Sequence, residues 1–280
     1  MLPKLIFVSC RSFPLFYHHV YPRIPAHHAY VLIVGDEDCT IPNSLDRRYA
    51  KDYAMTPAMW RDIVGNPQVL HIYCTHLDIP ASDKYSPLPV GFNPEEHPHT
   101  DVDHLLTMKV DLDIMNRPLT VKGCCRIRGH AQWEDRRIVK RLCETTCWAS
   151  FADWGSIPRA DFFTEIQKYS FLLCPHGGGI DPNPKVFSAI YAGTIPIIKK
   201  FVNCELLYGD MPVVVVDDWV EDCITVDKMR RWKSELKPYF VDGNKRRKVV
   251  EKLTSKFWLD RIRRKLRDGL RNYRHGADGD

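Results

Sequence analysis

Short apolar runs alternate with stretches of helical spacing throughout the second half of the chain, and this pattern constrains the fold more than any other feature. The apolar runs predict strands, and the amphipathic stretches between them predict helices. Residues 195–198 and 212–216 are apolar without interruption, which is typical of parallel strands covered on both faces. The alternation of strand and helix therefore predicts a parallel, doubly wound α/β sheet.

The first half contains similar apolar runs, separated by loops rich in proline and histidine. Residues 13–28 and 91–103 are predicted as long loops. The sequence predicts two α/β lobes, residues 1–118 and 119–226, followed by a helical arm, residues 227–280. The predicted strands are residues 4–9, 30–34, 69–73, 86–90, 119–126, 148–151, 171–174, 195–198 and 212–216, and the predicted helices before the arm are residues 133–143, 159–168 and 184–192.

Charge is distributed unevenly between the C-terminal arm and the rest of the chain. The 280 residues include 40 Lys and Arg and 35 Asp and Glu, which gives a net charge of +5. Residues 245–274 alone have a charge of +10, so the remainder has −5. Apolar residues recur through the arm at nearly helical spacing, which predicts a helix that docks through one face and exposes its cations. These apolar residues are Val249, Val250, Leu253, Phe257, Trp258, Ile262, Leu266 and Leu270.

Cysteine usage and hydropathy indicate a cytoplasmic protein. The ten cysteines form no CxxC pair and several lie in apolar stretches, which favours reduced, buried thiols. Their even number leaves a secreted, disulfide-bonded form as the alternative. We find no apolar run long enough for a membrane span and no pattern of a signal peptide.

The most informative segment is a glycine-rich loop between a predicted strand and a predicted helix. The strand ends at Cys174, three glycines follow His176, and Pro184 and Lys185 begin the helix. Such a loop exposes backbone N–H groups, and Lys185 adds a positive charge, so the segment suits an anion such as a diphosphate. A plain tight turn is one alternative. An esterase oxyanion loop would need a GxSxG motif, which the sequence lacks, and neither Walker nor Rossmann glycine spacing fits.

Beginning with this loop, the sequence resembles exostosin-like glycosyltransferases (glycosyltransferase family 47). The resemblance is specific in Cys174-Pro-His-Gly-Gly-Gly-Ile-Asp-Pro182, in Thr194-Ile-Pro-Ile-Ile198 and in Leu207-Tyr-Gly-Asp-Met-Pro-Val-Val-Val-Val-Asp-Asp-Trp219. Weaker similarity covers Val34-Gly-Asp-Glu-Asp38, Pro87-Leu-Pro-Val-Gly91 and Gly129-His-Ala-Gln-Trp-Glu-Asp-Arg136. The sequence looks closest to the short, unanchored forms carried by large DNA viruses of algae, which would place the protein in the host cytoplasm.

The resemblance implies the GT-B arrangement, in which two Rossmann-like lobes form a cleft for donor and acceptor. In this arrangement a C-terminal helix commonly packs back on the first lobe, and the arm is expected to do so. It implies transfer of a sugar from a UDP-sugar to a glycan or glycoprotein acceptor with inversion, without a required metal or other cofactor. UDP-xylose is the leading donor, because the loop region offers no obvious extra cation for a uronate. The family usually has a glutamate three positions after the helical cation to bind ribose hydroxyls, whereas this sequence has Ser188 there.

The predicted donor site lies in the second lobe. Arg126 and Arg128 follow its first strand and could bind phosphate bidentately, with plain surface charge as the alternative. His176 is predicted to bond a phosphate or to cap the loop, Asp181 to cap the loop, and Trp154 and Pro158 to lie near the nucleobase. The full set of predicted donor-binding residues is Arg126, Arg128, Trp154, Pro158, His176, Gly177, Gly178, Gly179, Asp181, Lys185 and Ser188.

The general base is expected in the first lobe. Asp36 and Asp38 follow a predicted strand, and a carboxylate at a strand end is suited to take a proton from an acceptor hydroxyl. His76, with Asp78 beside it, follows the next strong strand and is the reserve candidate. Capping of a turn is the alternative role for the two aspartates.

Two other functions stay open at this point. Asp36-Glu37-Asp38 also matches the DxD metal motif of GT-A glycosyltransferases, although three other segments of the chain match it too. A non-enzymatic nucleic-acid-binding protein would use the basic arm, but we find no RRM, helix-turn-helix or zinc-finger pattern, so no nucleic-acid partner is expected. Weak contact of the arm with a membrane surface is a further option.

Overall fold

A computed structural model describes residues 3–35, 38–45, 55–92, 106, 110–129, 133–153 and 155–277, with side chains up to Tyr273 in the last helix. Two residues predicted from the sequence to be functional, Asp36 and Trp154, lie outside the described residues.

The described residues form two parallel sheets, and every predicted strand is present. The first sheet has the order β1-β2-β3-β4, and the second has the order β6-β5-β7-β8-β9. The predicted α/β class, with a parallel sheet in each of two lobes as expected for a GT-B chain, is therefore confirmed. The strands are β1 Leu5–Ser9, β2 Tyr30–Gly35, β3 Val69–Thr75, β4 Tyr85–Leu88, β5 Val121–Cys124, β6 Ala149–Ala152, β7 Phe171–Leu173, β8 Ile195–Lys199 and β9 Val214–Val216.

Helices connect most strands and form the C-terminal region. A helical segment directly follows β1 and comprises Phe13–Leu15 and a π-helical turn, Phe16–Val20. The C-terminal helix, Ser255–Ala277, is the longest described helix. The other α-helices are Pro57–Gly65, Glu134–Thr145, Phe162–Ile166, Lys185–Tyr191, Cys204–Tyr208, Val226–Leu236, Pro238–Val241 and Gly243–Lys252.

The chain divides into two compact units. The first unit consists of Met1–Pro89, Gly178–Asp181 and Trp258–Asp280, and the second consists of Val90–Gly177 and Pro182–Phe257. In the first unit, one face of the sheet packs in a core that includes Phe13, Leu32 and Ile72. The other face, with Val31 and Tyr73, packs against Ile262 and Leu266 of the C-terminal helix. These two contacts confirm the predicted docking for the part of the stripe that contains Ile262 and Leu266, whereas Val249, Val250 and Leu253 lie in the second unit.

The second unit has its own core around the five-stranded sheet. Phe171, Ile195 and Ile197 are fully buried at its centre, and Trp219 packs there with no exposed surface. The run 195–198 is buried as expected for a strand with both faces covered. The run 212–216 is not, because β9 is an edge strand and its Val215 is 40% exposed.

In the first half, one expectation was wrong and one helix was not predicted. The segment predicted as a loop at residues 13–28 begins with helical turns, because Phe13 and Phe16 bury their rings in the core. A helix at Pro57–Gly65 was not predicted, although its start has a recognisable signal. Thr56 caps it by accepting a hydrogen bond from the Met59 backbone N–H at 3.3 Å, and Pro57 occupies the first turn.

All ten cysteines are free thiols, and eight of them are buried. Within the described part of the chain, no helix has the length and apolar character to cross a bilayer. The same residues contain no group of three or more His, Cys, Asp or Glu side chains arranged to hold a metal ion.

Candidate functional site

A cavity of about 640 Å³ opens at the carboxyl end of the second sheet. Strand β5 lies between β6 and β7 in this sheet. The chain passes from β5 to β6 on one side of β5 and then crosses to β7 on the other side, so the direction of the strand order changes at β5. Ligands of open α/β sheets bind in the crevice at such a switch point. The lining residues are Cys124, Cys125, Ala152, Asp153, Gly155, Ile157, Pro158, Arg159, Phe162, Asn183, Pro184 and Lys185.

Lys185 brings a positive charge to this cavity. No carboxylate among the described residues forms an ion pair with its ammonium group. Asn183 fixes the start of the helix, because its Oδ1 accepts a hydrogen bond from the Lys185 backbone N–H at 2.9 Å and its Nδ2 donates to the Pro175 carbonyl at 2.8 Å. The side chain is therefore anchored at its base while its charge is available to a ligand. Arg159, which sequence reasoning did not assign to the site, lines the same cavity.

The thiols at the floor of the cavity are not nucleophiles. Burial raises the pKa of Cys125 to about 11 and also raises that of Cys124, although the nearby Lys185 opposes both shifts. The thiolate is the reactive form of cysteine, so both side chains are neutral, apolar wall groups at physiological pH.

Arg136 positions the first part of the glycine loop, a role that sequence reasoning missed. Its guanidinium donates to the His176 carbonyl at 2.9 Å and to the Arg126 carbonyl at 2.7 Å. It also lies 4.3 Å from the centre of the Trp133 ring. A side chain at Gly177 would put its Cβ 2.8 Å from Arg136 Nη2, so it would displace the end of the arginine. The only sequence signal was that Arg136 ends one of the weaker family matches.

His176 has an acidic partner on the neighbouring helix. Its Nδ1 lies 3.2 Å from Asp135 Oδ2, and the other oxygen of Asp135 lies 3.3 Å from Lys199 Nζ. Burial lowers the pKa of His176, and Asp135 opposes that shift. The structure thus provides His176 with a protein partner, and its role toward a phosphate stays a prediction.

The remaining predicted donor-binding residues of this unit lie in different settings. Arg126 and Arg128 are exposed and are not among the lining residues of the cavity, whereas Pro158 is. The Arg128 guanidinium lies 5.3 Å from the Trp133 ring centre. Ser188 is fully buried, and its hydroxyl donates to the Pro184 carbonyl at 3.2 Å, within its own helix. Ribose binding by Ser188 therefore has no support from its position.

The rest of the glycine loop, Gly178–Asp181, belongs to the first unit and contacts His76. The Asp181 backbone N–H donates to Nδ1 of His76 at 3.1 Å. A Cβ at Gly179 would lie 2.3 Å from the same nitrogen. Because an amide N–H only donates, Nδ1 of a neutral His76 is unprotonated and Nε2 carries the proton. His76 itself has a positive φ of 52°, which is a strained conformation for a histidine.

The loops after β2 and β3 pair with each other in the first unit. Ile41 and Leu77 form a parallel bridge, and Asn43 donates to the Asp78 carboxylate from its backbone at 3.2 Å and from its side chain at 3.0 Å. Burial raises the pKa of Asp78, while hydrogen bonds from Thr40 and Asn43 oppose the shift. Asp38 is half-buried in the same region.

No protein-family model matches the chain, and no curated protein matches it in sequence. Among solved structures, it is similar to sucrose-phosphate synthase from Thermosynechococcus elongatus (11% identity, TM-score 0.48, 99% of this chain and 74% of that chain). It is also similar to an alpha1,3-fucosyltransferase with GDP-fucose (11% identity, TM-score 0.41, 94% of this chain and 90% of that chain). Likenesses of this size define neither a family nor a reaction.

Proposed function

We propose that the chain is an exostosin-like glycosyltransferase of GT-B type that transfers a sugar from a nucleotide sugar to a glycan hydroxyl. The observation that carries the proposal is the cavity of about 640 Å³ at the switch point of the second sheet, with Lys185 in its wall. Lys185 belongs to the segment that carries the specific family resemblance, so sequence and cavity point to the same place. Nucleotides bind doubly wound sheets at such crevices.

The lining chemistry suits the parts of a nucleotide diphosphate. Lys185 and Arg159 supply positive charge for the phosphates, whose negative charge grows as the bond to the sugar breaks. Ile157, Pro158 and Phe162 supply apolar surface for a base and ribose. We propose UDP as the nucleotide and inversion as the stereochemical outcome, as the family resemblance implies.

UDP-xylose is the proposed donor, and UDP-glucuronate is its direct rival. Xylose was favoured from the sequence because no second cation was evident near the loop. Arg159 is such a cation, and it lines the cavity together with Lys185. Comparison of the two donors therefore tests whether Arg159 faces a sugar carboxylate.

In an inverting transfer, the acceptor oxygen attacks the anomeric carbon, the bond from that carbon to the diphosphate breaks, and a base takes the hydroxyl proton. We propose Asp38 as the base, with Asp36 as its alternative. His76 fits this role less well, because its Nδ1 already accepts the Asp181 N–H and its Nε2 carries a proton.

The test is a thermal-shift and saturation-transfer NMR screen of the purified protein against UDP, GDP, UDP-xylose, UDP-glucuronate and other nucleotide sugars. We expect UDP and at least one UDP-sugar to bind. Lys185→Ala should lose most of this binding, whereas Lys200→Ala, which removes an exposed lysine outside the cavity, should bind normally. Absence of binding by every nucleotide would contradict the proposal.

Turnover separates the finer parts of the proposal. Asp38→Asn should bind the donor normally and turn over slowly, and near-normal rates in both Asp36→Asn and Asp38→Asn would exclude both carboxylates as the base. Activity should persist in EDTA. Loss of activity in EDTA that Mn²⁺ restores would instead favour the GT-A type of site at Asp36-Glu37-Asp38.

A further inference from the structure

The C-terminal helix has a docked face and an exposed face with different chemistry. On the docked side, Ile262 is only 4% exposed and packs with Val31 and Tyr73 of the sheet. Gly269 lies so close to Leu70 that a Cβ on the glycine would approach the Leu70 Cβ to 3.0 Å. Near the end of the described side chains, the Tyr273 hydroxyl donates to the Ala26 carbonyl at 3.1 Å. The contacts of Ile262, Gly269 and Tyr273 with the first unit stabilise the helix.

The opposite face is strongly basic and is not explained by docking. Two acidic residues share it, Asp260 and Asp268, and Asp260 pairs with Arg263 at 3.7 Å. The cations on this face outnumber these carboxylates three to one. The exposed basic residues are Lys256, Arg261, Arg263, Arg264, Arg267 and Arg271.

Three of these arginines form a row in the middle of the exposed face. At 3.6 residues per turn, Arg264, Arg267 and Arg271 fall within about 60° of arc and span about 10 Å along the helix. All three are exposed, and none has an ion pair with any other residue that the structure describes. Like charges at this spacing repel one another, so the row contributes nothing favourable to the helix. Because the opposite face of the helix is docked on the sheet, the three guanidinium groups are presented to an external anion.

We propose that this row docks the protein on an anionic lipid bilayer. Guanidinium groups bind phosphate and carboxylate head groups bidentately, and clusters of arginine and lysine on one helix face are attracted to anionic lipid. The proposal is independent of the sugar-transfer function. The apolar face is occupied by the sheet, so the attraction is electrostatic and the contact is reversible.

The distribution of charge favours a flat surface over a nucleic acid. Outside residues 245–274 the chain has a charge of −5, so the rest of the protein offers no net attraction to a nucleic acid that wraps around it. A planar bilayer can be approached by the basic face alone. The arginine row also lacks aromatic residues on which bases could stack, since the nearby Tyr273 is engaged with Ala26.

The test is flotation of the full-length protein with vesicles of phosphatidylcholine alone or with roughly a third phosphatidylserine, in buffers of increasing salt. Wild type should float with the anionic vesicles at low salt and progressively less as salt rises. It should not float with phosphatidylcholine alone.

Two matched variants locate the surface. Arg264→Gln/Arg267→Gln/Arg271→Gln should weaken vesicle binding on the order of a hundredfold. Arg230→Gln/Arg231→Gln/Lys237→Gln loses the same charge from exposed positions in or next to the Val226–Leu236 helix and should bind like wild type. Circular dichroism should show that both variants fold, because every substituted side chain is exposed.

Three results would overturn the proposal. One is failure of wild type to bind anionic vesicles, and a second is equal binding by wild type and the arginine-row variant. The third is retention of RNA or DNA at physiological salt, lost in the arginine-row variant, without vesicle binding. That outcome would assign the same face to a nucleic acid.

Discussion

Position 179 requires glycine because of its contact with His76, which is distant in the sequence. Gly179 lies against the imidazole ring, and its neighbour Asp181 donates its N–H to that ring. The ring leaves no room for a side chain at position 179. Gly177 and Gly179 therefore have different neighbours, since Gly177 instead faces Arg136.

Gly179→Ala should destabilise the protein by about 1–3 kcal/mol, because the new Cβ would lie within 2.5 Å of the His76 ring. Urea unfolding followed by circular dichroism measures the loss. Gly65→Ala is the control, because a Cβ there meets no atom within 4 Å. The double variant His76→Ala/Gly179→Ala should recover part of the loss, because the ring that causes the clash is absent. Strictly additive effects would show that the two residues do not interact.

The cavity thiol Cys125 should resist alkylation. Burial raises its pKa to about 11, so at pH 8 about one molecule in a thousand holds the reactive thiolate. Cys147 is exposed and should react first with iodoacetamide. Peptide mass spectrometry after a short reaction measures both sites, and denatured protein, in which both should label, is the control. Labelling of Cys125 at the rate of Cys147 in native protein would show that the cavity floor is open to solvent.

At the scale of elements, the helix that carries Lys185 is held at its end by two buried arginines. Arg246 donates to the carbonyls of Ile190 and Tyr191, both at 2.8 Å, and Arg117 donates to the Ala192 carbonyl at 2.9 Å. The helix has seven residues, too few to be stable alone. The last carbonyls of a helix lack the usual partners within the helix, and these arginines bond to them in addition to the Gly193 N–H, which donates to the Ile190 carbonyl at 3.3 Å.

Arg246→Met should cost about 1–3 kcal/mol of unfolding free energy, because the carbonyls of Ile190 and Tyr191 lose a buried charged donor while the apolar volume is kept. The adjacent Arg247→Met is the matched control. Arg247 is more than half exposed and pairs with Glu251 at 3.4 Å, so its loss should cost less than about 1 kcal/mol. Equal effects in urea unfolding would contradict the structural role of Arg246.

The contact between β3 and the C-terminal helix should make stability depend on pH through His71. Burial, reinforced by Lys265, lowers the pKa of His71 to about 4 from an ordinary value of 6.5. As the pH falls, His71 therefore binds a proton at a higher pH in the unfolded chain than in the folded protein. The contribution of neutral His71 is intact above pH 6.5 and is lost as pH falls toward 4, an effect of about 3 kcal/mol.

Urea unfolding of wild type and His71→Gln at a series of pH values isolates this contribution. The difference between their stabilities should shrink as pH falls from about 6.5 to about 4, because only wild type has the buried imidazole. The amide of glutamine can replace some of the hydrogen bonds that His71 makes with the Asp83 carbonyl at 3.0 Å and the Ser86 hydroxyl at 2.9 Å. A difference that is constant with pH would show that His71 titrates normally in the folded protein.

Elements were predictable from the sequence to the extent that their signals are local. The strands were found because parallel strands with both faces covered are continuous apolar runs, as β8 shows. The Pro57–Gly65 helix is the exception, because its cap at Thr56 is a local signal and the helix was still not predicted. The role of Arg136 could not be found, because its acceptor at His176 is 40 residues away and is a backbone carbonyl, which leaves no pattern of side chains.

At the scale of the whole molecule, the first unit is assembled from both ends of the chain. The C-terminal helix covers the face of the sheet that contains Val31 and Tyr73, and the hydroxyl of Tyr273 reaches the Ala26 carbonyl. Apolar periodicity predicted the docking stripe of this helix. That periodicity does not indicate which sheet the stripe docks on. The expectation that it docks on the first lobe came from the family resemblance.

Ile262→Asp should therefore unfold the first unit selectively. The substitution removes a buried side chain and places a carboxylate against Val31 and Tyr73, at a cost of about 3–5 kcal/mol. Hydrogen exchange measured by mass spectrometry should show faster exchange in β1–β4. Strands β5–β9 should keep their protection, because the second unit has a separate core around Phe171 and Ile195.

Arg263→Gln, the control, changes the net charge by the same amount at an exposed neighbouring position and should leave both sheets protected. Equal loss of protection in both sheets would mean that the two cores unfold as one cooperative unit, and unchanged protection in β1–β4 would mean that the sheet does not depend on the docked helix.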